Sequence, residues 1–298
     1  MPKNVNEIKI QCLKKWSSGL DLDPRLSNFN NSFDKWLCQI PEKNRDMILP
    51  LIENMEYYSH EITNSWLKEL HIKLMKNDNV TDDNTIYVFI KSKDGASNSS
   101  NDYWTEYKLI NQINKNICIE DMKALSLKQF SYIDNIVFID DFSGSGKSFI
   151  DELKKERDRY IGKNIYFITI NIMKKAMDAI KKFETDNNLN IILLSAFEHN
   201  KAFERDLFAD NDSAKQELEN LSREFKIPDD EILGYKKSEA LVAFYNNTPN
   251  NTLGFIRYDT DAYKSIFPRR NDPKPSWKCL KKNKDKRKIM NYNVKAKG

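Results

Sequence analysis

The sequence lacks the residues that build disulfide-bonded or metal-bound frameworks. Its four cysteines stand far apart without a CxxC pair, and it contains only three histidines. The cysteines are Cys12, Cys38, Cys118 and Cys279. This spacing argues against a disulfide framework and a zinc site, and it suits a reducing cytoplasm. We therefore expect no dedicated metal centre.

Long apolar runs are missing as well. No stretch approaches the roughly eighteen apolar residues that a membrane span requires. The N-terminal segment, MPKNVNEIKIQCLKKW, has no apolar region of the kind found in signal peptides. We therefore expect a cytoplasmic protein that makes no membrane contact.

Hydrophobic periodicity divides the chain into three parts. Residues 1–80 repeat apolar residues at helical spacing, which predicts a helical N-terminal portion packed on the core. Residues 81–260 alternate short apolar runs with helical patterns, which predicts an α/β core with a mostly parallel central sheet. The runs are 86–90, 136–139, 165–172 and 190–197, and a further strand-like run follows at 240–245. Residues 261–298 form a C-terminal appendage.

This appendage is a basic tail. Between Trp277 and Lys288 it has seven lysines and arginines and one acid, Asp285, whereas the whole chain has a formal charge of only +4. A charge that small does not by itself indicate nucleic-acid binding. The tail either contacts a nucleic acid or an acidic partner, or it is a solvated terminus.

The stretch IVFIDDFSGSGKSFI, residues 136–150, carries the strongest chemical signal. Its Gly-Lys-Ser resembles the end of a Walker A loop, but the first glycine of that pattern would fall at Asp141. A carboxylate there would repel a polyphosphate, so the strict pattern fails. A P-loop-like NTPase remains an alternative.

A ribose phosphate site explains the same residues better. Backbone N–H groups and hydroxyls of a small-residue loop that opens a helix can bind one compact phosphate. Asp140 and Asp141, one step back along the strand, can then accept hydrogen bonds from two neighbouring sugar hydroxyls. A phosphate and a diol separated by one sugar describe a ribose 5-phosphate.

These residues resemble the phosphoribosyl-pyrophosphate (PRPP) motif of type I phosphoribosyltransferases. The resemblance implies that Asp140 and Asp141 hold the ribose hydroxyls and are the catalytic residues. It implies a phosphate cradle of Ser143, Gly144, Ser145, Gly146, Lys147 and Ser148. The sequence Gly-Ser-Gly replaces the usual Thr-Thr-Gly, and the added lysine leaves open which phosphate Lys147 meets.

The same resemblance implies a pyrophosphate loop after an earlier strand. The candidate is KSKDGASNSS, with Lys91, Lys93, Gly95 and Ser97 as its contact residues. Mg²⁺ would arrive with the diphosphate, held mainly by substrate oxygens and by Asp140 or Asp141.

More specifically, the chain resembles phosphoribosyltransferase-like proteins of bacterial anti-phage operons, including some retron-type systems. The stretches that carry this resemblance are FIDDFSGSGKSF, DGASNSSNDY and GYKKSEALVAFYNNTPNNTLGFI. It implies an antiviral effector or component that binds PRPP or a nucleotide and transfers or hydrolyses at the anomeric carbon. Its partners would be proteins or a nucleic acid of a defence complex. A catalytically inactive nucleotide-sensing or scaffold module is the alternative.

Two further features stay open. Polar residues in and next to the Asn-Thr-Pro-Asn-Asn-Thr stretch either supply hydrogen bonds over the site or form an ordinary turn; they are Asn246, Asn247, Thr248, Asn250 and Asn251. His199 follows an apolar run and is either an acid or base near a leaving group or an ordinary loop residue.

Overall fold

The computed structural model describes residues 4–17, 23–91 and 98–270. Its N-terminal region contains helices α1 (Val5–Trp16), α2 (Phe29–Leu37), α3 (Arg45–Glu53) and α4 (His60–Met75). Helix α1 begins at a capping box of Asn4 and Glu7, and Ser59 caps α4. A short strand, β1 (Glu56–Tyr58), lies between α3 and α4 and interrupts the helical pattern predicted for this region.

A four-stranded parallel sheet forms the centre of the molecule. Its strands are β2 (Thr85–Phe89), β3 (Asn135–Ser143), β4 (Asn164–Met173) and β5 (Asn190–His199), in that spatial order. The connections carry α5 (Ser99–Ile110), α6 (Leu127–Ser131), α7 (Lys147–Leu153) and α8 (Lys174–Asn187). The α/β fold with a mostly parallel central sheet is therefore confirmed.

Both faces of the sheet are covered, which explains the uninterrupted apolar runs of its strands. Val137 and Ile139 pack on one face together with Tyr103 of α5. Phe138, whose side chain lies on the other face, packs together with Phe149 of α7. Because α7 is packed in this way, the loop between β3 and α7 is anchored at both ends.

The remaining elements build a second layer. Strand β6 (Val242–Phe244) falls in the run 240–245 and pairs in parallel with β1, so it belongs to a separate two-stranded sheet. Helices α9 (Asn211–Glu224), α10 (Asp229–Ile232) and α11 (Gly254–Arg257) accompany it. Short 3-10 helices complete the chain at Glu42–Asn44, Lys115–Ile117, Met122–Ala124, Arg157–Tyr160, Ala202–Glu204 and Tyr235–Lys237.

The N-terminal helices share one hydrophobic core with the C-terminal part of the described chain. Trp16 and Phe29 both contact the ring of Phe267, with centroid distances of 5.6 and 6.2 Å. Trp36 donates a hydrogen bond to the hydroxyl of the buried Tyr263 at 2.6 Å. Residues up to Phe267 are thus part of this core, and the lysine-rich run of the tail lies outside the described residues. No described helix is long and apolar enough to cross a membrane.

Candidate functional site

Strand β3 carries both acids of the central motif to the end of the sheet. The strand continues through the acids to Ser143, beyond the predicted run 136–139. Asp140 and Asp141 are 8% and 9% exposed. Asp140 Oδ1 accepts the Asp141 N–H at 3.0 Å, and Asp141 Oδ1 accepts the Phe142 N–H at 2.9 Å. Main-chain hydrogen bonds therefore fix the orientation of both carboxyl groups.

The environment of the pair disfavours two negative charges. Burial raises the pKa of Asp140 well above its ordinary value, and the neighbouring Asp141 carboxylate raises it further. Burial also raises the pKa of Asp141. Within the described chain neither carboxylate forms an ion pair, and the Ser99 hydroxyl donates a long hydrogen bond of 3.5 Å to Asp140 Oδ1. The pair therefore has unused capacity to accept hydrogen bonds or to bind a cation.

A cavity of about 720 Å³, which we call the acid cavity, opens in front of the pair. It combines side chains from five parts of the chain that are distant in sequence. Its lining residues are Asp140, Asp141 and Phe142 of β3, Asn98, Ser99 and Asp102 at the start of α5, Ser148 of α7, residues 246–251, and Arg269 and Arg270.

Residues 246–251 cover the acid cavity, and we call them the cover segment. Asn247 Oδ1 accepts the N–H groups of Thr248 and Arg270, both at 2.9 Å. Asn251 Nδ2 donates to Ser238 Oγ at 2.7 Å. The segment is thus a hydrogen-bonded turn that also lines the cavity, so the two alternatives raised by its sequence are compatible.

Arg25 connects the cover segment to the N-terminal region and to the C-terminal arginines. Its guanidinium donates to Phe244 O at 2.6 Å, to Thr248 Oγ1 at 2.9 Å and to Pro268 O at 3.1 Å. Arg269 in turn donates to Thr248 O at 2.5 Å. Sequence reasoning missed Arg25, Arg269 and Arg270, because these partners lie 21 to 243 residues away and no local motif marks such contacts.

The predicted phosphate cradle forms the connection between β3 and α7. Gly146 has a φ of +70° and directly precedes the first residue of α7, whose N-terminus has no side-chain cap. Among the described residues, the hydroxyls of Ser143, Ser145 and Ser148 have no hydrogen-bond partner. Of the cradle residues, Ser148 lines the acid cavity. An unused hydroxyl donor, that of Ser148, therefore lines the cavity that holds the acids.

Gly144 is the point where the cradle touches the cover segment. A Cβ at this position would lie 2.3 Å from Asn251 Cγ and 2.4 Å from its Nδ2. Only a residue without a side chain permits this approach. Gly144 therefore has a steric role in closing the site.

Lys147 points away from the acids. Its Nζ lies 2.7 Å from Asp151 Oδ2, one turn along α7, and Lys147 does not line the acid cavity. It lines a second cavity of about 360 Å³ with Lys91, Ser148, Asp151, Glu152, Lys155, Tyr235 and Asn250. We call this the lysine cavity. Of the predicted pyrophosphate loop, Lys91 lies here, whereas Lys93, Gly95 and Ser97 lie outside the described residues.

His199 does not join the acid cavity. It is the last residue of β5, its ring stacks on Phe197, and its Nε2 atom is buried without a partner among the described residues. Burial and the nearby Arg205 lower its pKa to about 4. At neutral pH this histidine is uncharged and remote from the acids.

The described residues contain no preformed metal centre. Nowhere in residues 4–17, 23–91 and 98–270 do three or more Asp, Glu, His or Cys side chains cluster in a way that could hold a metal ion. Asp140 and Asp141 could supply at most part of a coordination sphere, and a substrate would have to complete it. This donor set is compatible with Mg²⁺, which keeps waters and binds through substrate phosphates.

The fold and the site together define a phosphoribosyltransferase-like domain. A parallel strand ends in a buried acid pair and leads through a small, hydroxyl-rich loop into a helix. The sequence model of the PRTase-CE family matches residues 33–269, which include the acids, the cradle and the cover segment. The chain belongs to the PRTase-CE family.

Other comparisons add little. No curated protein matches the chain. Among solved structures, a hypothetical protein from Neisseria gonorrhoeae, crystallised with bound ppGpp, is 10% identical. The match covers 54% of this chain and 95% of the other, with a TM-score of 0.31. A score that low supports no inference about fold or ligand.

Proposed function

We propose that this chain binds PRPP or a nucleotide in the acid cavity through the ribose 5-phosphate group. The ribose hydroxyls would lie on Asp140 and Asp141, and the 5-phosphate would lie on the cradle, residues 143–148. The observation that carries the proposal is that the acid pair and Ser148 line one cavity of about 720 Å³.

The electrostatics of the pair support a ligand rich in hydroxyls. Two buried carboxylates that form no ion pair among the described residues gain more from accepting O–H donors than solvated carboxylates do. A ribose diol offers two such donors, and Mg²⁺ offers a charge. Either ligand would stabilise the ionised form of Asp140, whose pKa is raised in the free protein.

The same arrangement suits chemistry at the anomeric carbon. Loss of a group from C1′ leaves positive charge on the ribose ring, and ionised acids beside the ring would stabilise that charge. Arg269 and Arg270 line the acid cavity and could bind an anionic leaving group. The assignment of Lys91, Lys93, Gly95 and Ser97 to a pyrophosphate loop stays a prediction.

The lining residues leave open whether the bound molecule reacts. None of them is a histidine, and we assign no general base. An experiment must therefore distinguish an enzyme, which transfers or hydrolyses at C1′, from a module that binds its ligand without turnover. The role as an effector or component of antiviral defence rests on the resemblance of the motifs to anti-phage proteins.

The test is calorimetric binding of PRPP, AMP and GMP to the full chain with Mg²⁺. We expect the double variant Asp140→Asn, Asp141→Asn to bind each ligand at least about tenfold more weakly, because two charged acceptors are lost. Asp186→Asn, which changes an exposed acid on α8, is the matched control. Unchanged affinity in the double variant would overturn the proposal.

A second measurement separates an enzyme from a sensing module. Purified protein is incubated with PRPP or nucleotide, and release of diphosphate or base is followed by chromatography. In cells, protection against phage is compared for wild type and the double variant. If the double variant no longer binds ligand but protects fully, the enzyme hypothesis fails. ATP turnover that depends on Lys147, without PRPP binding, would support the NTPase alternative instead.

A further inference from the structure

We propose that the site accepts a nucleoside 5′-di- or triphosphate, whose terminal phosphates occupy the lysine cavity. This inference rests on the proposed ribose 5-phosphate site and specifies the class of ligand that the site prefers. The argument depends on how the two cavities are connected, on the shape of a nucleotide, and on the side chains around the second cavity.

The two cavities meet at the cradle. Ser148 at the start of α7 and Asn250 of the cover segment line both of them. Asp140 and Asp141 line the acid cavity only. A ligand that extends from the acids into the lysine cavity must therefore pass Ser148, where the proposed function puts the 5-phosphate.

The covalent structure of a nucleotide fixes which of its groups can make that passage. The 2′- and 3′-hydroxyls lie on the ring carbons between C1′ and C4′, and the 5′-phosphate is attached through C5′ to C4′. A group on C1′ therefore leaves the ribose at the end opposite to the 5′-phosphate. Only phosphates attached beyond the 5′-phosphate extend past Ser148 into the lysine cavity.

The side chains of the lysine cavity suit a phosphate chain accompanied by Mg²⁺. Lys91 follows β2, Lys147 begins α7, and Lys155 follows α7, so three separate positions contribute lysines to the lining. Two carboxylates, Asp151 and Glu152, also line the cavity, which leaves a net charge of +1. Lysines bind phosphate oxygens as point charges, and one or two carboxylates are the usual protein ligands of phosphate-bound Mg²⁺.

The existing ion pairs of these lysines do not prevent binding. The Nζ atoms of Lys147 and Lys155 lie 2.7 Å from Asp151 and 2.6 Å from Glu152, and that of Lys91 lies 3.4 Å from Asp121. The lysine side chains are 36–43% exposed, whereas Asp151 and Glu152 are 24% and 12% exposed. Ion pairs whose lysine is solvent-exposed contribute only modestly to stability. A phosphate chain with a higher charge density can therefore replace the carboxylates as the partner of these ammonium groups.

The test compares AMP, ADP and ATP, and then the corresponding guanine nucleotides, by calorimetry on the full chain with Mg²⁺. We expect the wild-type protein to bind each triphosphate at least about tenfold more tightly than its monophosphate. Lys155→Gln should weaken triphosphate binding about three- to tenfold and leave monophosphate binding unchanged. Lys154→Gln is the matched control, because Lys154 is adjacent, exposed and outside the lysine cavity.

The outcomes separate this inference from the proposed function. Equal affinity for mono- and triphosphates overturns the inference and leaves ribose 5-phosphate binding intact. A preference for triphosphates that is the same in Lys155→Gln and Lys154→Gln also overturns the inference that the lysine cavity binds the terminal phosphates. Tighter binding of PRPP than of any triphosphate, weakened by Lys155→Gln, would assign the lysine cavity to the C1′ diphosphate instead. Failure of every ligand to bind would refute the proposed function itself.

Discussion

The contact between Gly144 and Asn251 allows a quantitative prediction. A methyl group at residue 144 would lie 2.3, 2.4 and 2.7 Å from Cγ, Nδ2 and Cβ of Asn251. Ordinary van der Waals contact begins near 3.4 Å, so one of the two segments would have to move by about an ångström. Asn251 has little room to move away. Its Nδ2 atom is hydrogen-bonded to Ser238, and its main-chain carbonyl oxygen lies against Gly234.

We therefore expect Gly144→Ala to lower the free energy of unfolding by about 1–3 kcal/mol, the usual cost of overpacking. Urea denaturation followed by circular dichroism measures this change. Nucleotide or PRPP affinity should fall about tenfold or more, because the cradle that carries Ser148 is displaced from the acids.

A double-mutant cycle tests the cause. Asn251→Gly removes all three nearest atoms, so in that background Gly144→Ala should cost less than about 0.5 kcal/mol. Backbone strain does not enter this comparison, because Gly144, unlike Gly146 and Gly162, does not have a positive φ. Wild-type stability of Gly144→Ala, or an equal cost in both backgrounds, would refute this reasoning.

Two further predictions concern titration. Asp140→Asn should raise the free energy of unfolding at pH 7 by about 1–2 kcal/mol, because it removes a buried charge that forms no ion pair among the described residues. The pKa of Asp140 is raised in the folded protein, so the gain in stability should shrink as the pH falls through that pKa and the wild-type carboxyl is protonated. A gain in stability that persisted at low pH would contradict this prediction. His199 has a folded pKa of about 4, so wild-type stability should decline as the pH falls from about 6.5 to 4. His199→Gln should reduce this loss of unfolding free energy by up to about 2 kcal/mol, a value that is discounted because the side chain is partly exposed. Urea titrations at pH 7 and at pH 4.5 measure the difference.

The local patterns of the sequence predicted the central sheet, and they singled out the acid pair that lines the acid cavity. Apolar runs such as 136–139 identify strands buried on both faces, and acids followed by small residues mark a strand end that can bind a ligand. The strand nevertheless continues through Asp140 and Asp141. Their carboxylates accept the N–H groups of the following residues, which compensates for the polarity that would otherwise end a buried strand.

Long-range pairing could not be predicted in the same way. Strand β1 is three residues long and pairs with β6, so Glu56 lies opposite Val242. Neither strand has a periodicity that identifies its partner. The same holds for Arg25, whose acceptors Phe244 O and Pro268 O are determined by how the N-terminal helices pack on the C-terminal part of the chain. The position of the Lys147 ammonium group depends on its ion pair with Asp151, one turn further along the helix, and the Gly-Lys-Ser pattern does not include that residue.

The burial of two adjacent carboxylates bears on whether the cavity is a structural accident or a binding site. A protein selected for stability alone would gain from replacing one of them, because their mutual repulsion and desolvation oppose folding. The surrounding structure supports the pair instead. Main-chain N–H groups orient it, Arg25 fixes the cover segment above it, and Gly144 lets the cradle close beside it. Such a costly and well-supported arrangement is typical of functional sites.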